Sequence, residues 1–148
     1  IVQNSYVDIY NCTFASNRSG WTAGGIDITT YGQNRRVTMR NTIVYSNSPN
    51  NFVSDASYSN VVFTNCCVDP VGTPYGSGNI TSPPAFVDFA GKNFRLADAS
   101  PCQNAGWNED WMRTSRDLDG RARIDGFFRV VDIGCYERHP LGSLLKTR

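Results

Sequence analysis

The sequence predicts an all-β fold, a parallel β-helix of about three coils with an irregular C-terminal cap. Three observations predict it. An eight-residue phrase recurs as "VDIYNCTF" (7–14), "VTMRNTIV" (37–44) and "VVFTNCCV" (61–68), each time with Val first, an apolar residue third, Asn fifth and an apolar residue eighth. Successive copies begin 30 and then 24 residues apart, within the roughly 20–50-residue spacing of stacked supersecondary units. Within each copy the apolar residues alternate, as in Val7/Ile9, Ile26/Ile28 and Val37/Met39, which is the period of a strand with one buried face.

The elements follow in chain order. Val and Ile at the first and third places point inward and form apolar columns, one coil above the next. Asn11, Asn41 and Asn65 fall where each strand bends. Their amides are expected to bond one another as a ladder, with coils about 4.8 Å apart, because polar groups buried at a bend need partners. The loops "SNRSGWTAGG" (16–25) and "SNSPNNFVSDASYSN" (46–60) carry turn residues, and loops are where such stacks place binding functions. "IDITTY" reads as another face of the first coil, and a short strand is expected at Phe52–Val53.

Coils therefore occupy 1–69. Residues 70–137 read as a capping region of the same domain, and 138–148 as a tail. An end coil exposes an apolar cross-section and unpaired strand edges, and Phe86, Val87, Phe89, Phe94 and Leu96 are expected to cover the last one. The run "GNITSPPAFVDFAGKNFRLADASPCQNAG", followed by "DLDGRARIDG" and "VDIGCYE", resembles the C-terminal region of bacterial parallel β-helix repeat proteins of the choice-of-anchor Q domain type. Those proteins carry the pattern from Gly78 to Glu137, and "NCTFASN" with "GGI" is similar to their preceding coils; together the resemblance spans roughly nine-tenths of the chain. It implies a right-handed parallel β-helix, secreted or at the cell surface, with no defined reaction. Cys135 stands where the family pattern has Ala, which leaves a pairing with Cys102 or Cys67 open. The tail matches no sorting signal of that family.

Composition excludes several function classes. The net charge is +1, too small to draw the chain to nucleic acid. No apolar run approaches the ~20 residues of a membrane span. Five cysteines without a Cys-x-x-Cys pair, and a single histidine, argue against a structural zinc site; disulfides and buried thiols both remain open. The start at Ile1 without Met reads as a processed, truncated or recombinant piece.

Candidate chemistry is sparse. The outward places Asp8, Tyr10, Thr38, Arg40, Val62 and Thr64 share one face, so Asp8 and Arg40 are catalytic candidates there, with Asp27 on another face. An inverting glycosidase needs two carboxylates roughly 6.5–9.5 Å apart, and no carboxylate row runs up one face. Trp107, Trp111 and Trp21, set among polar residues, are candidate sugar platforms. Asp117 and Asp119 in "DLDG" resemble the start of a Ca²⁺ loop, but an acidic twelfth place is missing; the preferred reading is an Asp-Gly turn with Asp–Arg pairs and no cofactor. His139 is expected to be a solvated tail residue without a Gly-x-Ser-x-Gly partner, and nucleotide-binding loops are absent. The expected function is an extracellular non-catalytic scaffold or glycan- and surface-binding module, the C-terminal part of a larger protein. The alternative is a carbohydrate-active enzyme, a polysaccharide lyase or glycoside hydrolase. Self-association through an open N-terminal coil is a third expectation.

Overall fold

The repeat copies become strands stacked in register. A computed structural model describes residues 5–28, 35–54, 61–68, 76–124, 126 and 129–139. The first tier holds β1 (Ser5–Tyr10), β2 (Thr13–Ala15) and β3 (Ile26–Ile28); the second holds β4 (Arg35–Arg40), β5 (Ile43–Tyr45) and β6 (Phe52–Ser54), the last being the strand expected at Phe52–Val53; the third holds β7 (Val61–Thr64) and β8 (Cys67–Val68). All pairings between tiers are parallel, in sheets β1-β4-β7, β2-β5-β8 and β3-β6. Val7 faces Val37, which faces Val61; Ile9 faces Met39, which faces Phe63. A hairpin of β9 (Phe86–Asp88) and β10 (Asn93–Leu96) follows. The fold is all-β, with one 3₁₀ turn, Asp110–Arg113, among the described residues.

Asn occupies each bend for a backbone reason. Asn11, Asn41 and Asn65 all adopt the left-handed region, at φ 48°, 48° and 49°, which Asn tolerates better than other residues with a Cβ. Each bend N–H then donates to the next tier: Asn11 to Arg40, Asn41 to Thr64 and Asn65 to Ser77, at 3.1, 3.2 and 3.0 Å. The expected ladder between these amides does not form. Asn41 instead grips the peptide of Trp107: its Nδ2 donates to the Trp107 carbonyl at 2.9 Å and its Oδ1 accepts the Trp107 N–H at 2.7 Å. Asn65 Nδ2 donates to the Ala105 carbonyl at 3.1 Å, and the buried Asn11 amide has no partner. An amide column does exist, in the loops, where Asn17 Nδ2 donates to Asn47 Oδ1 and Asn47 Nδ2 to Asn51 Oδ1, at 2.9 and 3.0 Å.

Two cores result. The inward columns Val37, Met39, Val44, Val61, Phe63, Cys66 and Val68 form the first. The second lies outside the β2-β5-β8 sheet, where the outward Ile43 and Cys67 pack with Leu96, Cys102 and Ile133, flanked by Ile80 and Phe86. This corrects the expected cap: Leu96 and Phe86 lie along the side of the stack, while Val87 and Phe89 are exposed. "SPCQNAG" and "VDIGCYE" clip together through Ile133 N–H to Cys102 carbonyl and Gly106 N–H to Val131 carbonyl, both 2.9 Å. They are then held to the tiers by Gly134 N–H to Asn41 carbonyl (2.8 Å) and Cys135 N–H to Thr13 Oγ1 (3.2 Å). Gly134 sits at φ +116°, and a Cβ there would come 2.9 Å from Ile43 Cδ1 and 3.0 Å from Thr13 Oγ1, so the approach requires glycine.

The flank is fixed by a buried polar knot. Asp117 accepts the N–H groups of Asp119, Arg121 and Glu137. Asp132 accepts those of Asn104 and Arg138. Glu137 accepts the Asp132 N–H at 2.9 Å and pairs with Arg123 at 3.1 Å. Burial pushes the Glu137 carboxyl up to about 8, with Asp132 adding repulsion, while the Asp132 N–H and Arg123 pull it down. A carboxyl raised in the folded state contributes stability that is full below its unfolded value and is lost as pH rises through the folded one. Denaturant titrations from about pH 5 to about pH 8.5 should therefore show falling stability, and Glu137→Gln should flatten that fall. An unchanged slope in the variant would mean that the proton binds elsewhere.

No disulfide forms among Cys12, Cys66, Cys67, Cys102 and Cys135, so neither pairing left open for Cys135 is made. Cys66 shows why a thiol suits its place: it is fully buried in the first core, and burial pushes it up to about 11, keeping it neutral. Of the tail, only Arg138 and His139 are among the described residues. His139 is half-buried, not solvated, and its Nε2 lies 3.0 Å from the Ala122 carbonyl.

Candidate functional site

Strand alternation sends every second side chain of the β1-β4-β7 sheet outward. Tyr6, Asp8 and Tyr10 of β1 then lie beside Arg36, Thr38 and Arg40 of β4, in the paired order Tyr6–Arg36, Asp8–Thr38, Tyr10–Arg40. These six line a polar hollow of about 270 Å³. A second hollow of about 470 Å³, lined by Arg40, Thr64, Asn65, Ser77, Gly78 and Trp107, adjoins it. Arg40 belongs to both, so the two make one trough across the face.

The far wall comes from the flank. Asn41 fixes the Trp107 peptide and leaves the indole 61% exposed. Two residues on, Glu109 pairs with Arg40 at the saddle between the hollows, where Arg40 Nε is enclosed without a partner. The 3₁₀ turn then buries Met112 inward and turns Trp111 toward Tyr10, ring centroids 6.3 Å apart at 65°. The outcome is a shallow face with four aromatic rings, the carboxylate of Asp8, the guanidinium of Arg36 and a neutralised Arg40–Glu109 pair. Flat rings bordered by donors and acceptors suit polyhydroxylated ligands, which offer an apolar face and a rim of hydroxyls.

Of the predicted site residues, Asp8, Arg40, Trp107 and Trp111 therefore come together. Asp27 lies in β3, in a different sheet, and accepts the Thr22 hydroxyl at 2.6 Å. Trp21 protrudes from its own loop. Asp117 and Asp119 lie elsewhere on the flank: Asp117 is consumed by backbone N–H groups, and Asp119 holds Arg95 in a two-pronged pair at 2.7 and 2.6 Å. That guanidinium keeps the Asp119 carboxyl below its ordinary value. No group of three or more metal-ligating side chains occurs among the described residues, and no helix among them is long and apolar enough to cross a membrane. Sequence reasoning missed Tyr6 and Arg36, and took Glu109 only as a polar neighbour of Trp107 and Trp111, not as the partner of Arg40. Extending the outward alternation one step back along each strand would have found the first two; Glu109 is positioned by a long-range contact that no local pattern signals.

No family model, curated protein or solved structure matches the chain.

Proposed function

We propose that this chain is a right-handed parallel β-helix, secreted or displayed at the cell surface, that acts as a non-catalytic scaffold and binds glycan along the trough. The parallel, in-register tiers support the solenoid reading. The observation that carries the binding reading is the convergence of Tyr6, Tyr10, Trp107 and Trp111 with Asp8, Arg36 and Arg40 on one outer face. Catalysis is the weaker reading, because Glu109, the other carboxylate on that face, is spent on Arg40.

A glycan array, with released sugar measured in parallel, tests both readings. Binding without product is the expected result. Trp111→Ala and Trp107→Ala should each weaken binding about tenfold, the scale of one lost aromatic contact, with the melting temperature little changed. Product release that survives these substitutions but stops with Asp8→Asn would replace the scaffold with an enzyme. Unfolding in both tryptophan variants would return the indoles to a packing role.

A further inference from the structure

The charged groups of the trough cancel: Arg36 and Arg40 stand against Asp8 and Glu109. Arg40 and Glu109 neutralise each other at the saddle. Asp8 and Arg36 are both exposed and line the same hollow, between Tyr6 and Tyr10. They lie on adjacent strands, since Asp8 faces Thr38 and Arg36 is two places back along β4. That offset is about 7 Å along the strand and about 4.8 Å across it, so one ligand ring can reach both heads. The second hollow adds no charge beyond Arg40; Thr64, Asn65, Ser77, Gly78 and Trp107 complete it.

The two exposed heads are chemically one-sided. An ionised carboxylate only accepts hydrogen bonds, and a guanidinium only donates them. A ligand lying across both must offer a donor to Asp8 and an acceptor to Arg36. A hydroxyl does either, and neighbouring hydroxyls on one ring do both at once. A uronate or sulfate group satisfies Arg36 but sets like charge beside Asp8. A free amine satisfies Asp8 but sets like charge beside Arg36. Nor does the surrounding field favour either kind, because cancelling charges steer neither polyanion nor polycation inward.

We propose that the trough selects neutral glycans, with Asp8 and Arg36 as the pair that determines the selection. Ring hydroxyls bridge the two heads, while the aromatic rings of the trough take the apolar faces of the sugars. The selection rests on the trough binding glycan at all, and the two can fail separately.

The test titrates the 148-residue chain over an array of neutral, uronate, sulfated and free-amine glycans. The array includes oligogalacturonate beside its methyl ester, and chitosan oligomers beside their N-acetylated forms. Neutral members should be bound at least about tenfold more tightly than charged ones, with little dependence on added salt. Asp8→Asn should narrow the gap for uronate and sulfated members, because an amide both accepts and donates, and should leave amines excluded. Arg36→Gln should do the reverse. General loosening of the face would weaken every class alike, so it cannot imitate this reciprocal change. Tighter binding of the charged classes by the wild-type chain overturns the selection and leaves the glycan reading standing. So does a neutral preference that neither substitution alters. An array with no bound member removes the glycan reading, and the selection with it.

Discussion

Arg123→Ala destabilises the folded chain by about 1–3 kcal/mol, the loss expected when buried hydrogen-bond partners are left unsatisfied. Arg123 and Glu137 are both nearly inaccessible and 3.1 Å apart, and the same guanidinium nitrogen also donates to the Gly134 carbonyl at 3.1 Å. Without it, the Gly134 carbonyl loses that donor, and the Glu137 carboxyl, which burial keeps largely protonated at neutral pH, retains the Asp132 N–H as its partner. The loop 132–137 would loosen from the tiers it clips. Chemical denaturation reads the loss directly. Pairing Arg123→Met with Glu137→Gln should restore much of it, since a buried pair replaced at both ends is often close to neutral. A single variant as stable as the parent would show that the knot does not hold the flank.

Asn41→Ala is the second large effect, at about 3 kcal/mol. Loss of the amide strands the buried donor and acceptor of the Trp107 peptide, which costs about 1–3 kcal/mol, and alanine resists the left-handed bend by roughly another 1–2. Asn11→Ala separates the two contributions, because its amide bonds nothing while its φ is the same 48°; about 1–2 kcal/mol is expected. Asn41→Gly should keep the bend and lose only the grip on Trp107. Asn50, whose amide donates to the Thr22 carbonyl in an exposed loop, should tolerate alanine best. Equal melting temperatures for Asn41→Ala and Asn50→Ala would remove the bend amides from the account of stability.

These comparisons mark how far the sequence could be read. Val7, Val37 and Val61 pair as their spacing predicts, because period-two burial repeated at a fixed register admits one stacking. The bends at Asn11, Asn41 and Asn65 were legible for the same reason. Their amide partners were not, since those lie 40 and 66 residues away in a segment with no periodicity to place it. The amide column that does form was written in the sequence: extending the repeat by three places aligns "ASN" at 15–17 with "YSN" at 45–47. The trough was half-legible. Asp8 and Arg40 follow from alternation, whereas Trp107, Glu109 and Trp111 reach it only because Asn41 and Arg40 capture the flank.

That flank has a kinetic consequence. In a pure stack each tier touches only its neighbours, so order can start anywhere and spread, and partial unfolding from an end is cheap. Here the run from Cys102 to Glu137 touches all three tiers, at Asn65, Asn41 and Thr13, the last contact spanning 122 residues of chain. Contacts that distant slow folding, because a long loop must close before they form. They also tie the tiers into one unit: the first tier cannot fray without breaking bonds made by residues synthesised long after it. Hydrogen exchange should therefore find β2 and β8 opening together with the loop at 132–137, as a single all-or-none event instead of a gradient from one end.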